Sequence, residues 1–146
     1  MKKILIPIDG SEYSKLAVSK GRDLAKAFKS DVVLLNVIQI EYPIITAGHG
    51  GQSPEFLHHL YEDARKNSTA YLDDAKRMFD GMDNKVEAIT MEGDAANAIV
   101  EYADKGDVDL VVMGSHGLGA ILDRLLTGSV TTKVLHHIHK PVLVVK

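Results

Sequence analysis

The sequence predicts an α/β fold of one domain, residues 1–146, with an open five-stranded parallel sheet, Rossmann-like, and helices on both faces. Three observations predict it. Five short runs rich in Val, Ile and Leu alternate with four segments of helical period. Runs such as 32–35 and 110–113 are apolar at every position, as strands buried between two helical layers require. The chain has 146 residues, 45% of them hydrophobic, which is material for one core.

The elements follow in order. "KKILIPI" (2–8) is the first strand. Ser11 opens the first helix, and Tyr13, Leu16, Ala17, Leu24 and Phe28 fall near one stripe of it. "DVVLLNVI" (31–38) is the second strand. "QIEYPIITAGHGGQS" (39–53) is the longest connection, and its length predicts a functional or moving loop rather than a structural one. Ser53 followed by Pro54 opens the second helix, with Phe56, Leu60, Ala64, Tyr71, Ala75 and Met78 on its inward face. "KVEAITM" (85–91) is the third strand. Asp94 opens the third helix, with Ala95, Ile99, Val100 and Ala103 inward. "VDLVVM" (108–113) is the fourth strand, Ser129 opens the last helix with Val130, Val134 and Ile138 inward, and "PVLVVK" (141–146) is the last strand.

Composition excludes several classes of function. The formal net charge is -3 and no basic cluster occurs, which argues against a nucleic-acid partner. There is no cysteine, so disulfides, thiolate catalysis and cysteine-based metal sites are excluded. The N-terminal apolar run of about five residues is shorter than a signal core, and no segment reaches the ~18 apolar residues of a membrane span. The expectation is a cytoplasmic protein with no membrane partner.

The stretch "GSHGLGAILDRLLTGSV" (114–130) carries chemistry. Four glycines, at 114, 117, 119 and 128, separate a strand from a helix. Ligands of open parallel sheets bind beyond the carboxyl ends of the strands, where the winding direction switches. A glycine-rich turn feeding a helix start presents backbone N–H groups, and the helix dipole adds positive potential there. Gly114, Gly117, Gly128 and Ser129 therefore make a candidate phosphate site. Glycines that only form turns remain the alternative. Neither G-x-x-x-x-G-K-[ST] nor G-x-G-x-x-G is present, because position 122 is Leu.

Taken with "ILIPIDGS" (4–11), "LLNVI" (34–38), "EGDAANAIVEYA" (92–103) and "PVLVV" (141–145), this stretch resembles the universal stress protein family over essentially the whole chain. The resemblance implies the sheet order 3-2-1-4-5 and an adenine nucleotide as ligand, ATP or a relative of it, with or without Mg2+. It also implies a homodimer through the C-terminal strand and a regulatory role in stress response toward an unknown protein partner. By the same resemblance Pro7, Ile8 and Asp9 lie at the nucleoside end, with helix capping as the other reading of Asp9. Val37 meets the base edge, Met113 and Gly114 flank the ribose and first phosphate, and Gly117, Gly128, Ser129 and Val130 cradle the phosphates. The family's spacer between its second and third motif glycines is nine residues. Here ten separate Gly117 from Gly128. Two outcomes are open: a short helical turn over 119–126 absorbs the extra residue, or Gly117 is displaced.

Other groups suggest chemistry less strongly. "HHIH" (136–139), His58 with His59, and the pairs Asp73/Asp74 and Asp107/Asp109 read as solvated helix ends and turns rather than metal or acid–base sites. His116 falls inside the glycine turn. Lys133 reads as solvated, and no lysine takes the phosphate-binding place of a P-loop. The expectation is binding with at most slow hydrolysis. A nucleotide-free interaction module and a slow nucleotide hydrolase are the alternatives.

Overall fold

The computed structural model describes residues 1–39, 53–117 and 128–146. The order is β1 (Lys3–Pro7), α1 (Glu12–Phe28), β2 (Asp31–Ile38), α2 (Pro54–Arg77), β3 (Val86–Glu92), α3 (Ala95–Lys105), β4 (Leu110–Gly114), α4 (Ser129–His137) and β5 (Val142–Val145). The strands form one parallel sheet in the order β3-β2-β1-β4-β5. The connections 39–53 and 119–126, read above as a loop and a helical turn, lie almost wholly outside the described residues.

Winding direction explains the two layers. From β1 to β3 the chain steps one way across the sheet, and from β4 to β5 it steps the other way. A right-handed crossover then puts α1 and α2 on one face and α3 and α4 on the opposite face. The strand residues sort accordingly. Ile4, Ile6, Val32, Leu34 and Val112 pack with α1 and α2 residues, while Leu5, Val33, Leu35, Val111 and Met113 pack with α3 and α4 residues. Both side-chain parities of the central strands are thus buried, which is why these strands read as continuous apolar runs.

Three helices start as their sequences predict. Ser11 Oγ accepts from Ser14 N–H at 3.1 Å, Ser53 Oγ from Phe56 N–H at 3.1 Å, and Asp94 Oδ2 from Asn97 N–H at 2.9 Å. Three expected inward residues point outward instead. Leu16 is 48% exposed, Phe28 55% and Phe56 45%. The buried stripe of α1 is made of small residues, Ser14, Ala17, Val18, Gly21 and Ala25. They let the helix close tightly on β1: a Cβ on Gly21 would lie 2.3 Å from Ile6 Cδ1. So narrow a stripe leaves Leu16 and Phe28 on the flanks. In α2 the buried residues are Ser68, Leu72 and Ala75, all in the second half, so Phe56 in its first turn lies outside the core.

Asp94 joins α3 to α4, because its Oδ2 also meets Lys133 Nζ at 3.0 Å. The Asn97 N–H, and then Lys133, hold its carboxyl below the ordinary value of 3.8. A carboxyl depressed by folding contributes stability above its unfolded value, and that contribution is lost as pH falls through the folded value. Replacing Asp94 by Ala is expected to lower the unfolding free energy by about 1 kcal/mol at neutral pH. In denaturant titrations the difference from the parent protein should shrink once the pH drops below 3.8.

Candidate functional site

A cleft of about 610 Å³ opens at the carboxyl ends of β1, β2 and β4. This is where the winding direction reverses between β1 and β4, the place open parallel sheets use for ligands. All ten expected site residues line it. Pro7, Ile8 and Asp9 come from the end of β1, Val37 from β2, and Met113, Gly114 and Gly117 from the end of β4. Gly128, Ser129 and Val130 come from the start of α4.

The two ends of the glycine stretch meet despite the longer spacer. Gly128 N–H donates to the Ser115 carbonyl at 2.6 Å, and a Cβ on Gly128 would lie 3.6 Å from Gly117 N. Gly117 is thus not separated from the Gly128 end of the motif, and the expected turn over 119–126 lies outside the described residues. Two more bonds lock the junction. Thr131 Oγ1 donates to the Gly114 carbonyl at 2.9 Å, and Ser115 N–H to the Val145 carbonyl at 2.8 Å.

The N-cap of α4 is Gly128, one residue earlier than the sequence reading, which opened this helix on Ser129. Glycine brings no side-chain acceptor. Of the four described helices, α4 alone has no side-chain cap. The first backbone bond of its helical ladder runs from Thr132 N–H to the Gly128 carbonyl. The N–H groups of Ser129, Val130 and Thr131 precede it, and all three residues line the cleft.

Asp9 lines the cleft, and it is not the cap of α1. Its Oδ1 accepts from Ser11 N–H at 2.9 Å and braces the turn into α1, while Ser11 itself is the cap. Its Oδ2 would be 2.6 Å from a Cβ on Gly117, so glycine there lets the carboxylate and the turn after β4 approach. Between Asp9 and Ser11, Gly10 has φ +82°, and a Cβ there would be 2.4 Å from Tyr71 Cε1.

The sequence reading left out one wall of the cleft. Ala64, Asn67 and Tyr71 line it from α2, and Asn36 from β2. Ala64 and Tyr71 belong to the stripe of α2 expected to face inward; Tyr71 packs against the core and both also line the cleft. A polar Asn67 on that stripe was the available signal. Asn36 is buried, with its amide donating to the Ile8 carbonyl at 2.8 Å, which ties β2 to the β1 end.

Several of the remaining candidates have structural partners. Lys133 is paired with Asp94 rather than simply solvated. His139 Nδ1 lies 2.9 Å from Asp104 Oδ2, an acidic partner 35 residues away, and this bond holds the Asp104 carboxyl below its usual range. His137 Nδ1 lies 2.8 Å from the Lys133 carbonyl. Asp107 pairs with Lys3, and Asp109 accepts from the Lys2 and Lys3 N–H groups. Among the described residues no group of three or more His, Asp or Glu is arranged to hold a metal, and no helix is long and apolar enough to cross a membrane.

The family model described as the universal stress protein family matches residues 1–146. The chain belongs to the universal stress protein family. Universal stress protein MJ0531 of Methanocaldococcus jannaschii is 37% identical over 145 residues, 99% of this chain and 82% of the relative. The solved structure of MJ0577 from the same organism is similar with a TM-score of 0.82 at 33% identity, over 99% of this chain and 95% of that one. A universal stress protein solved in complex with cAMP is similar with a TM-score of 0.72 at 25% identity, over 99% and 97% of the two chains.

In this member of the family the junction of Gly10 with Tyr71 is a direct test of the cleft wall. Gly10→Ala places a side chain at positive φ and against the ring, so it is expected to cost at least about 1 kcal/mol. Thermal and denaturant unfolding of the variant check this. An unchanged midpoint would contradict the packing described.

Proposed function

We propose that this universal stress protein binds an adenine nucleotide, ATP foremost, in the cleft at the β1/β4 switch. The observation that carries the reading is the uncapped start of α4. Three backbone N–H groups and the positive end of a helix dipole open onto a cleft whose rim is glycine at 117 and 128. An anion fits such a start, and side chains at either glycine would encroach on it. The related protein solved with cAMP supports an adenine nucleotide as the anion's carrier.

In this reading Gly117, Gly128, Ser129 and Val130 hold the phosphates. Met113 and Gly114 flank the ribose, Asp9 accepts from the nucleoside end with Pro7 and Ile8 beside it, and Val37 offers its backbone to the base edge. Mg2+ would accompany the phosphates. The described lining contains no lysine or arginine, and Asp9 is its only carboxylate. We expect binding with at most slow hydrolysis, which the rate of ATP turnover by the purified protein checks. A regulatory role follows if occupancy changes the surface near the cleft that a protein partner meets. The described edge strand β5 pairs only with β4, and we read it as the seam of a homodimer.

The test is to release small molecules from freshly purified protein, identify them by mass, and titrate the stripped protein with ATP, with and without Mg2+. Bound adenine nucleotide is expected. Gly128→Val should weaken ATP binding at least about tenfold, the worth of one hydrogen bond to a charged group. Absence of both bound nucleotide and ATP binding would overturn the reading in favour of an interaction module. Sedimentation at micromolar concentration should give the mass of a dimer, and a monomer would contradict the β5 seam.

A further inference from the structure

Gln39 follows the last residue of β2, and its side chain is tied to the start of α3. The Ala95 N–H donates to Gln39 Oε1 at 3.2 Å, and both residues line the cleft. Beside this bond the Gly93 N–H donates to the Ile38 carbonyl at 3.0 Å. The end of β2 and the turn into α3 are thus joined twice, once through backbone and once through the Gln39 amide. The α3 start is itself held, because Asp94 accepts from the Asn97 N–H and pairs with Lys133. The tie sets the orientation of the amide. A backbone N–H only donates, so the amide atom turned toward Ala95 is the oxygen, and the NH2 group is the other arm.

Val37 stands two residues earlier in the chain. The backbone groups of successive strand residues turn alternately to the two neighbouring strands. Leu35 serves β1, since its carbonyl accepts from the Ile8 N–H at 2.8 Å, and Ile38 serves the β3 side, where its carbonyl meets Gly93. Val37 therefore turns its N–H and carbonyl to the side of β1, beyond Pro7, where that strand has ended and the cleft opens. Val37 and Ile99 share one core cluster, and with Ala95 they give this part of the cleft an apolar wall. A planar base suits such a wall, with polar groups at its edges.

We infer that Gln39 is a specificity-determining residue that reads the N6/N7 edge of an adenine whose other edge meets the Val37 backbone. The inference rests on the nucleotide reading above and adds to it the side chain that selects the base. Gln39 Nε2–H donates to N7, and Oε1 accepts from N6–H with one lone pair while the Ala95 N–H takes the other. A side-chain amide matches one acceptor beside one donor, which is the pattern of adenine N7 and N6. A 6-oxopurine presents two acceptors there, N7 and O6, so Oε1 would meet O6 with no proton between them. Turning the amide over gives no escape. Its NH2 group would then face the Ala95 N–H, two donors without an acceptor. The bond to α3 thus fixes which purine the amide accepts.

The experiment measures by calorimetry the affinity of the stripped protein for ATP and for 7-deaza-ATP, which has carbon in place of N7 and carries the same charge. The parent protein is expected to bind ATP about tenfold more tightly than 7-deaza-ATP, the upper worth of one neutral hydrogen bond. Gln39→Glu keeps an oxygen for the Ala95 N–H and loses the NH2 donor, while Gln39→Met keeps neither. In both variants the two nucleotides are expected to bind alike. The ratio cancels the charge that Glu adds and any general loosening of the cleft. Either variant carries the test if the other fails to fold. A merely structural Gln39 predicts something else: Gln39→Met would unfold at a lower midpoint and bind both nucleotides more weakly, with the ratio of the parent retained. A parent that binds the two nucleotides equally, or variants that keep its preference, would overturn the inference and leave the nucleotide reading standing. Failure of the parent protein to bind any adenine nucleotide would overturn both.

Discussion

The hydrogen bond from Gly128 N–H to the Ser115 carbonyl is the contact on which the site depends. It returns the chain to the end of β4 after the segment 118–127, so that α4 begins where β4 stops. Thr131 Oγ1 on the Gly114 carbonyl repeats the tie one turn along. Ser115 N–H on the Val145 carbonyl anchors the same residue to β5. The first turn of α4 is thereby fixed against the sheet without a side chain of its own to cap it. Where the other three helices spend a Ser or Asp on their first N–H groups, this one leaves them facing the cleft.

The parallel sheet makes that placement useful. Reversal of winding between β1 and β4 sends α1 and α4 to opposite faces and opens a crevice between their starts. The α1 side supplies Asp9, a carboxylate braced by Ser11 N–H, and the α4 side supplies backbone donors. Gly117 is the joint between them, since any side chain there would meet the Asp9 carboxylate. Asp94 and Lys133 tie the α3 and α4 starts together on the far face, which steadies the wall that carries Ala95 and Val130.

Much of this was legible in the sequence. Continuous apolar runs gave buried parallel strands, and Ser11, Ser53 and Asp94 marked helix starts, because both signals depend on local chemistry. The ten expected site residues line one cleft because they cluster at strand ends in the chain order that a switch point requires. What was not legible depends on distance through space. Leu16 and Phe28 satisfy a helical stripe, but the small residues of α1 set a narrower contact with the sheet. Asn67 and Tyr71 line the cleft from α2, far in the chain from the strand ends they face. Pairing of Lys133 with Asp94, and of His139 with Asp104, joins residues 39 and 35 positions apart, which no spacing rule connects.

The central claim is that the uncapped start of α4 receives phosphate oxygens. Its most direct test is to follow the backbone amide resonances of Gly117, Ser129, Val130 and Thr131 while ATP, and separately adenosine, is added to the stripped protein. The account predicts large movements of these amides with ATP and small ones with adenosine, while Val37 responds to both. Saturable ATP binding that leaves the α4 amides unmoved would contradict it.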